Sequence, residues 1–436
     1  MREQIHFKIY RILLSVFALV MPFSTPSLTH SDGAHFWGNI TPTILGLFLL
    51  NWLLEADFKA KWQRIRKNKL TFPFIAAVGF YGIYLIGLIY SDNLDFGKTA
   101  LLLKLPFLLC PLLIFTVNSA MWKPKMAQNL LFTFALGNLL ALFVSLANSF
   151  FRCGGEISVD CFHYANASLF FHPSYVSMYY CFSFVTIFYF LINNQLHSWK
   201  KITAWFMFLL FPLEIVLLDS RTGQIAFAVV MLAFAAYIFV FNRRKSLRFV
   251  LYMSMLVGIL TTTFFLLPSS RLLMNIHQMR MGKINTEQLN DDVASGRVNA
   301  RAQIWVSAVE VIKEHPIFGT GTGDVKAAMV EKYVQQDFYL SQERRYNAHN
   351  QYLQVAATLG FIGLAVFLVF LCSIFWIGWK KRNLLLFLFG LIGLVNLCTE
   401  SMFERQIGVM FFAFLFALLH YFAATDLLKE VDKSTP

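Results

Sequence analysis

The feature that most constrains this chain is its division into apolar blocks of roughly 17–25 residues, the length a helix needs to cross a bilayer. Of its 436 residues, 57% are hydrophobic and only 14% charged, against about 25% charged in a soluble domain. A soluble enzyme, a nucleic-acid binder and a disordered scaffold all fit this composition poorly. The net charge of +13 needs its own explanation, because nucleic acid is one source of such an excess. Twenty-two of the 37 basic residues lie in alternate short connections and the two tails: Arg2 to Arg11, Lys59 to Lys69, Lys123/Lys125, Lys200/Lys201, Arg243 to Arg248, Lys380 to Arg382, and Lys429 with Lys433. Those segments hold 6 of the 24 acidic residues, so the remainder is slightly acidic. This is the positive-inside pattern of a bilayer protein, with the basic connections cytoplasmic, and it argues against nucleic acid as a partner.

The expected architecture is an all-α polytopic membrane protein of about 12 transmembrane helices. The spans fall near residues 12–30, 38–54, 71–90, 99–118, 128–150, 168–192, 202–219, 223–241, 249–268, 353–378, 383–399 and 407–424. An even count puts both termini, and every basic cluster, on one side. The first span has a basic start and a short apolar core like a signal peptide, but no small-x-small site follows, so an uncleaved anchor is expected. Residues 269–352 break the rhythm of short connections. They form one large loop between spans nine and ten on the outer, periplasmic side, with 10 basic and 9 acidic residues. The chain thus divides into 1–268 (spans 1–9), 269–352 (the loop), 353–424 (spans 10–12) and a cytoplasmic tail, 425–436. Within the loop, Val298 to Ile312 has apolar residues at helical spacing and reads as an amphipathic helix packed through Trp305. His315 to Asp324 reads as a turn. A long insertion in an economical chain is usually functional, which turns attention to the outer face.

Four of the six cysteines, Cys110, Cys181, Cys372 and Cys398, lie in spans as small apolar residues. Cys153 and Cys161 share one short outer loop, where an oxidising compartment permits a bridge without requiring one. No Cys/His ligand spacing is present, and no metal site is expected.

Ionisable residues at membrane depth are costly and default to functional candidates. Arg221, in Leu218-Asp-Ser-Arg-Thr-Gly223, stands where span seven emerges and span eight begins. It either snorkels to headgroups or clamps an anion, since a guanidinium offers a planar fork of donors matched to phosphate. Lys104 lies inside span four and is expected to be neutralised by Glu214 of span seven. On the loop, Arg297 and Arg301 share one face of the helix leading to Trp305. Glu343-Arg-Arg-Tyr-Asn-Ala-His-Asn350 precedes span ten, so His349 lies at the outer membrane surface with Arg345 nearby. An imidazole, with an unperturbed pKa of about 6.5, suits a general base at neutral pH. His172, at the outer start of span six, is a candidate for lining the same cavity. Glu400, Glu404 and Arg405 cap the last outer loop, where they can hold the loop's arginines. Gly319, Gly321 and Gly323 lack the preceding strand and following Lys-Ser/Thr of a phosphate-binding loop, and read as turn glycines.

Taken in order, several of these pieces form a pattern: Ser220-Arg-Thr-Gly223 opening a span; Gly296-Arg297 followed by Arg301-x-x-x-Trp305; Glu314-His-Pro-Ile-Phe-Gly-Thr-Gly321; His349-Asn-Gln-Tyr-Leu353; and Leu359-Gly-Phe-Ile-Gly363. The pattern resembles the O-antigen ligase / O-antigen polymerase superfamily of bacterial envelope glycan transferases. The resemblance implies a metal-independent, cofactor-free, inverting transfer of a glycan from an undecaprenyl-diphosphate carrier to an acceptor at the periplasmic face of the inner membrane. It implies lipid A–core as acceptor in the ligase branch and another carrier-linked repeat in the polymerase branch. Arg221 and Arg301 match the family's essential arginines and His349 its essential histidine. Arg297 is a near neighbour, and Lys104, His172 and Arg345 join as substrate-binding candidates from position alone. A protein O-oligosaccharyltransferase of the same superfamily, and a polytopic transporter, are the remaining readings. The transporter is disfavoured because the notable polar residues cluster at the outer face rather than the bilayer midplane.

Overall fold

The computed structural model describes residues 2–24, 34–156, 158–241, 249–250, 252–253 and 301–428. Most of the expected ninth span, the first part of the large loop with Arg297, and most of the tail lie outside the described residues.

Among the described residues the fold is helical throughout, without strands. Helix α1 (Arg2–Val20) starts ten residues before the expected span, because Phe7, Tyr10, Leu14 and Phe17 form a buried stripe at helical spacing while Lys8 and Arg11 stay exposed. Helix α2 (Ala34–Glu55) turns through 108° into α3 (Phe58–Lys67). The basic run 59–69 is therefore largely a helix, docked by buried Ile65 and by Lys61, which pairs with Glu55 at 3.1 Å. Helices α4 (Thr71–Ile89), α5 (Leu94–Lys104) and α6 (Pro106–Phe115) follow; the expected fourth span is broken between the last two, with Pro106 opening α6.

After α7 (Pro124–Arg152), Cys153 and Cys161 are joined by a disulfide. Next come α8 (Pro173–Ile192), α9 (Trp199–Leu217) and α10 (Arg221–Phe241). The described part of the large loop folds into α11 (Arg301–Glu314), α12 (Val325–Gln335) and α13 (Tyr339–Arg344). The chain ends in α14 (Gln351–Lys380), α15 (Leu384–Thr399) and α16 (Gln406–Ala424). Helices α8 and α16 are apolar all round and almost wholly buried, so they form the centre of the bundle.

Among the described residues eight helices are long and apolar enough to cross a membrane, nine if α2 and α3 make one bent span. A helix stands at each expected segment that is described, and most of the ninth lies outside the described residues. Helix α9, however, carries Lys200, Lys201 and Glu214, and α15 has only 16 residues, so neither is among the eight. The protein is a multi-pass membrane protein. At one end of the bundle Arg64 of α3 ties Glu3 (2.9 Å) to the Thr116 carbonyl (3.0 Å). The starts of α5, α8, α10, α14 and α16 lie at the other end, with α11–α13.

Helix α14 is broken at Gly360 (φ 65°, ψ −167°), which frees backbone groups on both sides of the break. The stretch after α11 satisfies them. Thr320 N donates to Ala357 O (3.0 Å) and Gly321 N to Thr358 O (2.8 Å), while Phe361 N donates to Pro316 O (2.8 Å). A Cβ on Gly319 would collide with the Thr358–Gly360 backbone, and one on Gly360 with the Ile317 carbonyl. The expected turn glycines thus let two backbones interlock. Asp324 completes the clasp by accepting from the N–H groups of Asp92 and Asn93, both at 2.8 Å.

Candidate functional site

The interlocked stretch fixes α11 against the start of α14. Ile304, Ala308 and Val311 are buried on that side, so Arg301, at the first turn of α11, faces the bundle end. Trp305 departs from expectation: the apolar ridge made of those three residues carries the packing, and Trp305, one turn from Arg301, is exposed.

His349 sits in the last connection before α14. Its φ of +42° is uncommon for a residue with a side chain, and is held from both sides. Its N–H donates to Asn347 Oδ1 (3.1 Å), and the Asn350 side chain caps α14 by accepting from Tyr352 N (2.9 Å) and Leu353 N (3.1 Å). Such strained positions concentrate at functional sites. The Tyr346 ring packs edge-on against the imidazole at 5.4 Å.

The carboxylate of Glu400 joins the two segments. One oxygen accepts from Arg301 Nη2 at 2.8 Å and the other lies 3.0 Å from His349 Nδ1. Glu400 is buried, and burial pushes its carboxyl up. The His349 hydrogen bond and the charges of His349, Arg301 and His172 outweigh that and hold it below the ordinary carboxylate value. It is therefore an anion at neutral pH. With Nδ1–H donated to that anion, Nε2 becomes the free, proton-accepting nitrogen.

Glu400 opens a short connection, 400–405, which is pinned to the start of α14 and to the end of α5. Ser401 Oγ accepts from Asn350 N (3.2 Å) and Phe403 N donates to Gln351 Oε1 (2.7 Å). Glu404 takes Lys104 Nζ at 3.2 Å on both oxygens. Gly408 permits the tight return into α16, since a Cβ there would strike the Met402 carbonyl.

Lys104 thus corrects an expectation. It is fully buried, with Nζ 4.7 Å from the Tyr84 ring centroid, and its ion-pair partner is Glu404, not Glu214. The helix break at Pro106 ends α5 just beyond Lys104. Glu214 lies buried on α9, and its Oε1 has no hydrogen-bond partner among the described residues. The geometry makes Lys104 an anchor of the 400–405 connection.

Arg221 opens α10. The neighbouring Thr222 hydroxyl bonds Thr399, the residue before Glu400, at 2.6 Å. On its other side Asp219, with φ +43°, lies 3.8 Å from His163, two residues beyond the disulfide's Cys161. The structure therefore holds Arg301 and His349 together on Glu400 and puts the start of α10, with Arg221, at the same end of the bundle. His172 caps α8 and contacts Tyr164 at 3.4 Å. Desolvation by the surrounding protein, with the charges of Arg405, Arg301 and His349, lowers its imidazole from the ordinary value against the pull of Glu400, so it belongs to the same electrostatic cluster. Arg345 is exposed after α13 at φ +49°, with no contact to that cluster. Among the described residues no group of three or more His, Cys, Asp or Glu side chains is placed to hold a metal ion.

Sequence reasoning assigned Glu400 to the arginines and missed its bond to His349. One signal was available. Glu400 caps the C-terminal end of α15, where the helix dipole disfavours a negative charge, so a carboxylate there needs cations from elsewhere.

No curated protein sequence matches the chain. Residues 205–368, which run from within α9 to the middle of α14 and include Arg221, Arg301 and His349, match the family model described as O-antigen ligase. Over that segment the chain is similar to the O-antigen ligase family, which supports a membrane glycosyltransferase of the ligase and polymerase kind.

Proposed function

We propose that the protein is an O-antigen ligase-like glycosyltransferase, which moves a glycan from undecaprenyl diphosphate to a lipid A–core acceptor at the periplasmic face of the inner membrane. Transfer is metal-independent and inverts the anomeric centre. The observation that carries this reading is the Glu400 carboxylate shared between His349 and Arg301. Glu400 fixes the tautomer that leaves His349 Nε2 able to take the proton of an acceptor hydroxyl, and it stabilises the imidazolium that results. The acceptor oxygen attacks the anomeric carbon as the C–O bond to the diphosphate breaks. The departing diphosphate gains negative charge, which the guanidinium groups of Arg221 and Arg301 stabilise. Losing one such donor typically costs about 2.7–4 kcal/mol in the transition state. A single displacement from the face opposite the diphosphate gives inversion. The carrier supplies the energy, since the diphosphate is the leaving group.

A strain lacking the gene, analysed for its surface glycan, tests the reading. Bare core with full-length chains left on the carrier is the expected result. Core bearing one repeat would replace the ligase by a polymerase, and underglycosylated envelope proteins by an oligosaccharyltransferase. Restoring the gene with His349→Ala or Arg221→Lys should give protein that accumulates without transfer, because the first removes the base and the second replaces a bidentate fork by a point charge. Full restoration by either would refute its assigned role.

A further inference from the structure

Arg405 lies beside the same cluster and has no part in the mechanism above. Its position is set by its neighbours: Glu404 is clamped by Lys104, and Gln406 Nε2 donates to Thr41 Oγ1 at 3.3 Å. The two carboxylates next to it in this connection are already engaged. Both oxygens of Glu400 serve Arg301 and His349, and both oxygens of Glu404 serve Lys104. The Arg405 side chain is exposed and forms no ion pair among the described residues.

It is exposed into a cavity of about 230 Å³, whose walls include Ser168, Phe170, Phe171, His172 and Tyr175. That volume is below the roughly 300–1,000 Å³ of sites for drug-sized ligands, and suits one sugar ring. Phe170 and Phe171 present apolar surfaces of the kind that cover the C–H face of a pyranose. Ser168, whose hydroxyl proton goes to the Ala165 carbonyl, offers an oxygen that can accept from one of the pyranose hydroxyls. Arg405 contributes a charge that nothing in the described cavity wall neutralises. His172 links the cavity to the cluster, since it is in electrostatic reach of Arg405, Glu400, Arg301 and His349.

We propose that this cavity is a sugar subsite for one pyranose bearing an anionic group, with Arg405 holding the anion and the phenylalanines flanking the ring. The inference rests on the transferase reading for its biological meaning. The anion is a phosphate or a carboxylate on the ring, and Arg405 serves either by paired N–H donors.

The test is binding to the purified full-length protein in nanodiscs, titrated separately with glucose 1-phosphate, glucuronate and glucose. At least one anionic sugar should bind about tenfold or more tighter than glucose, a difference of about 1.4 kcal/mol. Which of the two is favoured identifies the anion as phosphate or carboxylate. Arg405→Gln should reduce that ligand to the affinity of glucose, and Arg405→Lys should keep part of the preference. Equal binding of all three sugars, absence of binding by any, or a preference that survives Arg405→Gln would each overturn the proposal. Binding needs no turnover. The subsite can therefore fail while glycan transfer stands, and transfer can fail while Arg405-dependent binding persists.

Discussion

Replacing Glu400 by glutamine removes one charge and turns one acceptor oxygen into a donor. The wild-type carboxylate serves two donors, Arg301 at 2.8 Å and His349 Nδ1 at 3.0 Å. An amide can satisfy only one of them. If its oxygen stays on Arg301, its NH₂ faces Nδ1, which must then accept. The proton moves to Nε2, and the base is lost. If the oxygen turns to His349, the NH₂ faces the guanidinium, and Arg301 is pushed from its place. Both outcomes impair transfer. Hydrogen bonds to charged groups are worth about 1.5–3 kcal/mol, so the loss of one in the transition state lowers kcat by about 10- to 150-fold. The Arg301 side chain is 36% exposed and water can replace part of its bond, so the His349 arm carries more of the loss.

The assay is steady-state transfer by the full-length enzyme across pH. Glu400 titrates below its ordinary value of about 4.3. Its charge therefore contributes stability that is present above that value and is lost as pH falls through the lowered one. Near neutrality the carboxylate is therefore ionised, and its own titration leaves the wild-type rate there unchanged. In Glu400→Gln the fall should appear in kcat with KM little changed throughout the neutral range. Glu400→Asp should recover part of the rate. A glutamine variant with wild-type kcat would refute the bridging role.

Two further variants probe the scaffold. Lys104→Met strands the largely buried Glu404 carboxylate and should destabilise the protein by about 3–5 kcal/mol, read as a lower Tm in detergent; Lys104→Met with Glu404→Leu should restore most of the loss. Gly360→Ala forces a Cβ onto the Ile317 carbonyl in a conformation that costs about 1–3 kcal/mol for a residue with a side chain. It should lower Tm and weaken protection of the 316–322 backbone from hydrogen exchange, and unchanged values for both would show that the clasp is dispensable.

The helices were legible in the sequence because lipid leaves the backbone no alternative, and a block of about 20 apolar residues has one solution there. Even so, the start of α1 was misplaced, because counting apolar residues overlooks the buried stripe from Phe7 to Phe17 among the first charges. The bend from α2 into α3 was missed because it rests on positive φ values at Ala56 and Asp57, neither of them glycine. At the site, Arg221, Arg301 and His349 could be singled out by residue type and position. Their partners could not, because pairing depends on which ends of distant helices meet. Lys104 shows why: Glu214 is the partner expected from the sequence, and the meeting of α5 with the 400–405 connection gives its ammonium Glu404 instead.

That dependence on distant helix ends also accounts for an organising carboxylate that lies outside the segment matching the family model. Arg221, Arg301 and His349 come from residues 205–368, yet no described residue within that segment is seen to align the imidazole with the arginine. The connection between α15 and α16 does so. Its carboxylate sits at the negative end of α15, where it would be destabilised alone, and is made tolerable by the guanidinium and the imidazole N–H that donate to it. Arg301 and His349 would in turn repel each other whenever the imidazole is protonated, the state the reaction must pass through. One buried anion between them lowers the energy of that state without touching the substrate. A glycan transferase that relies on a histidine beside arginines needs such an anion, and here Glu400 is the group positioned to supply it.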